Sequence, residues 1–209
     1  MSHEQHRDLL SADLKRLEKQ LTRLCQDRLT LTDSQRLRVL DVACGECFEA
    51  ETLQRVLRKM AAEEGRERDL AVDFIGADIR ESEIARAAER CENGEDGVDY
   101  RFLVKDGQKL TRDADLAEGF DVVFVRHQNY YLGGKEWHEI FEQSLEKLAP
   151  NGKLIITSYF DHEHELAKDA IQKVGGELID DIANREARAL ASRGKHVDKR
   201  LAMFRRRDH

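Results

Sequence analysis

Leu10, Leu14, Leu17, Leu21 and Leu24 recur at alternating spacings of four and three, the stripe of one helical face. A helix of this kind packs on its own domain or pairs with a second copy of the chain, and the first is the simpler expectation for so short a repeat. Leu31 to Gln35, with its Thr, Asp and Ser, reads as a connection. The periodicity then changes. Leu37 to Ala43 is a short apolar strand, and Phe48, Leu53, Val56, Leu57 and Met60 return to helical spacing, ended by the charged stretch Ala61 to Asp69. Val72 to Ala77 is a second strand, followed by a helix marked by Ile84, Ala88 and Cys91. Val98 to Val104 and Phe120 to Val125 are further strands around a loop from Asp106 to Gly119. Trp137, Ile140, Phe141, Leu145 and Leu148 form a helical stripe, closed by a Pro150-Asn151-Gly152 turn before the strand Leu154 to Tyr159. Leu166, Ala170, Ile171 and Val174 mark one more helix, and Gly175-Gly176 ends it. Glu177 to Ala183 and Arg200 to Arg206 then read as two strands joined by a loop.

Strands alternating with helices predict a parallel sheet covered on both faces, and the unalternated apolar runs of the central strands agree with two-sided burial. A closing hairpin places one antiparallel strand in that sheet. The expected fold is a three-layer, doubly wound α/β domain over residues 37–209, with an N-terminal helix and linker over 1–36.

Composition sharpens this picture. The chain is 40% hydrophobic and 37% charged, so it is globular with a heavily solvated surface. No apolar run reaches the length of a membrane span, and Met1 to Asp13 has no signal-peptide core, which predicts a cytoplasmic protein. Four cysteines do not suggest a disulfide framework. Residues 184–209 hold nine Lys and Arg against three Asp and Glu, a net of +6, whereas residues 1–183 carry −13. An acidic body repels nucleic-acid backbones; a basic tail attracts anions.

In open α/β sheets the ligand sits at the carboxyl ends of the strands. After the first strand comes Asp41-Val42-Ala43-Cys44-Gly45-Glu46-Cys47-Phe48. A dinucleotide site requires G-x-G-x-x-G, and only Gly45 is present, with Glu46 set to repel a pyrophosphate. Cys44-x-x-Cys47 at a helix start has the form of a redox pair, but the only proline, Pro150, is far along the chain, and no second CxxC completes a metal site. His162-Glu163-His164-Glu165 has metal-ligand residue types, but neighbours two apart do not face one another on a helix. No metal is expected. Asp78, ending the second strand, can accept from both hydroxyls of a ribose. It can equally cap the helix that follows it.

Val39-Leu40-Asp41-Val42-Ala43-Cys44-Gly45 resembles the first motif of the class I S-adenosylmethionine-dependent methyltransferases, and the likeness runs in order from Leu37 to about Arg207. The resemblance implies seven strands with the last antiparallel, and S-adenosylmethionine as cofactor. It implies that Asp41 holds the methionine ammonium and that Ala43, Cys44 and Gly45 lie along the cofactor. It implies further that Asp78 takes the ribose, Ile79 lies against the adenine, Asp106 and Gly107 meet the adenine amino group, and Arg126 adjoins the same site. His127 and Asn129, after the fourth strand, would face the methyl acceptor, His127 as base or as orienting group. The family's three-glycine loop is reduced here, with Ala43 and Cys47 at the outer glycine positions. The Asn/Asp-Pro-Pro-aromatic motif of amino-methylating nucleic-acid enzymes is absent.

The reading is therefore a methyltransferase whose acceptor is a small molecule rather than nucleic acid, since the body is acidic and Asn129, Tyr130 and Tyr131 suit a compact pocket. No membrane partner is expected, and the N-terminal helix is the candidate surface for a homodimer. Two alternatives stay open. One is a cofactor-binding partner protein that has lost transfer, and the other an RNA methyltransferase that uses the basic tail.

Overall fold

The computed structural model describes residues 3–29, 36–63, 65, 70–92, 94, 97–114, 116 and 119–207. The expected connection Leu31 to Gln35 lies outside the described residues, as does most of the charged stretch before Asp69. Seven strands are β1 (Arg36–Val42), β2 (Ala71–Asp78), β3 (Val98–Val104), β4 (Phe120–Val125), β5 (Leu148–Ser158), β6 (Gly176–Ala183) and β7 (Arg200–Arg206). Among the described residues the α-helices are α1 (His3–Cys25), α2 (Ala50–Glu63), α3 (Glu81–Cys91), α4 (Gly134–Glu146) and α5 (Asp161–Lys173), with a 3-10 turn at Gly107–Arg112.

The strands form one sheet in the order β3-β2-β1-β4-β5-β7-β6. Pairs from β3 through to β5 are parallel, and β7 enters antiparallel between β5 and β6. The chain reverses direction across the sheet between β1 and β4, which opens a crevice at their carboxyl ends. Successive residues of a strand point to opposite faces, and in the central strands residues on both faces are buried. Leu37, Val39, Val72, Phe74, Val122 and Phe124 join α1, α2 and α3 in one core. Leu40, Val42, Ile75, Val123 and Val125 join α4 and α5 in the other. This two-sided burial explains why the central strands lack polar alternation.

The leucine stripe of α1 is used within its own chain. Leu17, Leu21 and Leu24 are buried in the first core, and Leu14 packs against it. Asp13 of α1 is ion-paired with Arg188 of the β6–β7 loop, and Glu18 accepts from Arg55 of α2 at 2.9 Å. The Pro150-Asn151-Gly152 turn falls inside β5 rather than before it. The β4–β5 register slips between Phe120, opposite Leu148, and Val122, opposite Lys153, and the extra residues form the bend. A side chain at Gly152 would meet the Phe120 carbonyl at 2.4 Å, so the close approach of the two backbones requires glycine. All four cysteines are buried free thiols, and no described helix is long and apolar enough to cross a membrane.

Candidate functional site

The loop leaving β1 makes three left-handed residues, Ala43 at φ 55°, Gly45 at 57° and Cys47 at 51°. Only the middle one is glycine, so the two outer positions each carry a strain of about 1–2 kcal/mol. Contacts from neighbouring elements hold the loop in place. The Gly45 N–H donates to Asp78 Oδ2 at 2.8 Å, and the Cys44 N–H to the Ala77 carbonyl at 3.2 Å. From α3, Arg90 donates to the carbonyls of Glu46 at 2.9 Å and Cys47 at 2.5 Å, and Arg86 pairs with the Glu46 carboxylate at 2.7 Å. Glu46, which the sequence presents as a repellent for phosphate, is thus tied to the adjoining helix.

Asp41 is fully buried. Its Oδ2 accepts from the Cys47 thiol at 3.3 Å, and its Oδ1 meets no donor among the described residues. Burial, and after it the neighbouring Glu49, holds the Asp41 carboxyl well above the usual carboxylate range. Asp41, Cys47 and Glu49 place ligand atoms within 4.8 Å of one another, but Glu49 already accepts from the Arg126 guanidinium at 3.0 Å. The Cys44 and Cys47 side chains sit inside the core, where burial pushes the Cys47 thiol up and away from redox reactivity.

Above the strand ends lies an open cavity of about 370 Å³. Of the residues expected to hold the cofactor, Ala43, Asp78, Ile79, Asp106, Gly107 and Arg126 line it, and so does His127. Asp41, Cys44, Gly45 and Asn129 are not in its wall, and the exposed Asn129 closes a turn through its carbonyl to the Leu132 N–H. Trp137 and Ile140 of α4 supply an apolar wall that the sequence presents simply as a core stripe. Ile79 is exposed at the rim although it is large and apolar. A side chain at Gly107 would crowd Ile140 and Val42 at 3.2 and 3.3 Å, so glycine keeps this side of the cavity open.

Asp78 is buried to 4% exposure, and both its oxygens are engaged. Oδ1 accepts from the Arg80 N–H at 2.9 Å and from Nε at 3.0 Å, and Oδ2 accepts from the same guanidinium at 3.2 Å. Burial alone would raise this carboxyl, but the hydrogen bonds from Arg80 and Gly45 outweigh it and leave it below its ordinary value. Arg80 also lines the cavity, so its side chain occupies acceptor positions that a ribose would use. Asp106 caps the 3-10 turn through the Gln108 N–H at 3.0 Å, and its ion pair with Lys109, also at 3.0 Å, is the main cause of its lowered carboxyl.

Beyond β4 the site draws on a distant loop. The Arg126 guanidinium is held between two buried acids, donating to Glu49 at 3.0 Å and to both oxygens of Asp198 at 3.0 and 2.7 Å. It is therefore committed to the protein's own carboxylates, although Arg126 is one of the residues that line the cavity. Asp198, just before β7, also accepts from Thr157 at 2.8 Å and lies 2.8 Å from His127 Nε2. Burial would raise the Asp198 carboxyl, but Arg126 and then His127 hold it far below its ordinary value. The His127 ring stacks on Tyr159 with centroids 3.9 Å apart. In the His162–Glu165 run, His164 is buried between Ser158 at 2.8 Å and Asp181 at 3.2 Å, a packing role in the core beside β6.

A crevice at the carboxyl ends of the strands, with Asp78 closing β2, an apolar rim and β7 inserted antiparallel, defines a doubly wound α/β domain with a ligand-sized cavity at its topological switch point. A family model described as a methyltransferase domain matches residues 33–195, so the chain belongs to the methyltransferase-domain family, and its cofactor is S-adenosylmethionine. No curated protein matches it. Among solved structures it is similar to an S-adenosylmethionine-dependent methyltransferase from Clostridium acetobutylicum, with a TM-score of 0.63 and 10% identity over 93% of this chain and 92% of that one. It is also similar to a TehB-like methyltransferase from Corynebacterium glutamicum, with a TM-score of 0.56 and 15% identity over 91% and 87%. A ribosomal protein L11 methylase from Lactobacillus delbrueckii subsp. bulgaricus gives 0.57 and 15% over 92% and 80%. At these identities the likeness concerns the fold.

Proposed function

We propose that this methyltransferase acts on a small molecule. The observation that carries the reading is where the basic residues lie. β7 runs antiparallel to β5, so Arg200 is level with Ser158 at the carboxyl end of β5, and Arg206 is at the opposite end of the strands. Six residues of strand separate them, about 20 Å. Arg205, Arg206 and Arg207 are therefore remote from the cavity mouth. Arg205 pairs with Glu177 at 2.7 Å, and the side chains of Arg206 and Arg207 donate to backbone carbonyls. Nearer the site, Lys199 pairs with Asp161 at 2.5 Å and Arg200 with Asp181 at 2.7 Å. Arg188, Lys199, Arg200 and Arg205 are thus paired with acids of the body, whereas a phosphate track needs free cations leading to the reacting atoms.

The chain's residues fit the cofactor. Asp41 lies behind the cavity wall with one oxygen that meets no donor among the described residues, and an ammonium brought beside it would favour its ionised form; Asp78 offers paired acceptors to the ribose once Arg80 is displaced. Ile79, Trp137 and Ile140 give apolar surface for the adenine. When bound, the cofactor supplies a methyl group on a sulfonium, already electrophilic; the protein's task is to align the acceptor and exclude water.

Incubating the protein with methyl-labelled cofactor and either a small-molecule cell extract or total RNA tests the reading. Label is expected in the small-molecule fraction. Label in RNA, with submicromolar, salt-steep RNA binding lost when Arg205, Arg206 and Arg207 are changed to Ala, would overturn it.

A further inference from the structure

Asp198 lies in the β6–β7 connection, 71 residues from His127, yet the two side chains meet at the cavity. We propose that Asp198 is a positioning residue that fixes His127 as the Nε2–H tautomer, leaving Nδ1 bare to take the proton of the methyl acceptor. The inference rests on the reading that the cavity receives a small acceptor. It adds that the attacking atom carries a proton to lose, as in a hydroxyl, thiol or amine.

Four observations support it. His127 and Asp198 both hold left-handed backbones, at φ 58° and 48°, although neither is glycine. Such strain persists only where surrounding contacts over-determine it, and here a network does so. Thr157 donates to Asp198 Oδ1 at 2.8 Å and receives the His127 N–H at 3.3 Å, while Tyr159 fixes the plane of the ring. Second, Asp198 is 1% exposed and bound bidentately by Arg126, which keeps it an ionised acceptor. Third, His127 Nδ1 has no hydrogen-bond partner among the described residues, and His127 is part of the cavity wall.

The fourth is a competition at Nε2. Asp198 Oδ1 lies 2.8 Å from it, and the Asp198 backbone N–H donates to it at 3.2 Å. The amide requires a bare Nε2, whereas the nearby carboxylate favours Nε2–H. A bare Nε2 would hold its lone pair 2.8 Å from an ionised oxygen, a repulsion larger than the gain from one neutral amide bond, so the carboxylate decides the tautomer. Charge balance gives the bare Nδ1 its use. The cofactor arrives as a sulfonium and leaves as a neutral thioether, so a neutral acceptor X–H must release one proton. Nδ1 accepts it, and the resulting imidazolium faces the Asp198 carboxylate.

Ring 15N NMR of the folded protein reads the tautomer directly and needs no acceptor. The His127 signals are assigned by their loss in His127→Gln. In the wild type at alkaline pH, Nδ1 is expected at the bare-nitrogen shift and Nε2 at the protonated one. In Asp198→Ala the assignment should invert, because the carboxylate is removed while the backbone N–H of residue 198 remains to donate to a bare Nε2. Protonated Nδ1 in the wild type, or no inversion in a folded Asp198→Ala, overturns the proposal. The wild-type spectrum alone decides should that variant fail to fold. Label in small molecules together with protonated Nδ1 would sink this inference and leave the acceptor reading standing.

Discussion

Replacing Arg126 with Met removes a charge while keeping most of the volume. Arg126 makes three hydrogen bonds to Glu49 and Asp198, which are 4% and 1% exposed. Removing one member of a buried ionic cluster costs about 3–5 kcal/mol, because the remaining charges stay buried without a partner. For a domain of this length that is a fall in Tm of roughly 6–20 °C. The pH dependence separates charge from packing. In the wild type the Asp198 carboxyl is depressed, so its contribution is complete above about pH 4 and is lost only as pH falls through the folded value. Without Arg126, the largest opposing influence is gone, and burial outweighs His127 and Thr157 and raises Asp198 above its unfolded value. The folded variant then binds a proton that the unfolded chain does not, and its stability grows as pH falls. Denaturant melts should therefore show a larger penalty near pH 8 than near pH 5. An equal penalty at both, or a Tm change below about 3 °C, would refute the claim that the guanidinium is what neutralises this part of the site.

Asp78→Ala should weaken S-adenosylhomocysteine binding by about 1.5–3 kcal/mol in calorimetry while the fold survives; unchanged affinity would place the ribose elsewhere. Arg80→Ala should act in the opposite sense and strengthen binding by up to about fivefold, since it frees Asp78 at the loss of a half-exposed ion pair worth at most about 1 kcal/mol. Weaker binding would make Arg80 a ligand contact instead of a competitor. His127→Gln should slow label transfer by about 10²–10⁴-fold. Cys44→Ser with Cys47→Ser should keep the fold and most of the cofactor affinity, and a large loss in a thermal-shift titration would give the thiols a larger role at the site.

The elements were legible because they repeat a local rule. Apolar runs without alternation announce strands buried on both faces, and leucines at spacings of three and four announce α1. The acids ending β1 and β2 were legible too, since ligand sites form at strand ends. What stayed hidden depends on distance along the chain. Nothing local in Val197-Asp198-Lys199 says that this acid reaches Arg126 and His127. Arg126 reads as a site residue because it follows β4, but the sequence does not show that two buried acids engage its guanidinium. The reduced glycine pattern reads as a departure from the family. It is tolerated because Arg86 and Arg90, about forty residues on, hold Glu46 and Cys47 in the left-handed turn.

The insertion of β7 between β5 and β6 sets a schedule for biosynthesis. As the chain leaves the ribosome, β1 to β5 can assemble first, and β5 is then an open edge. At about 5–20 residues per second, the stretch from Ser158 to Arg206 takes several seconds to follow. During that interval Asp198 has yet to arrive at Glu49, Arg126 and His127, and an exposed β5 edge would invite β-addition by other chains. Overexpression should be limited less by the early strands than by how quickly this last one closes the edge.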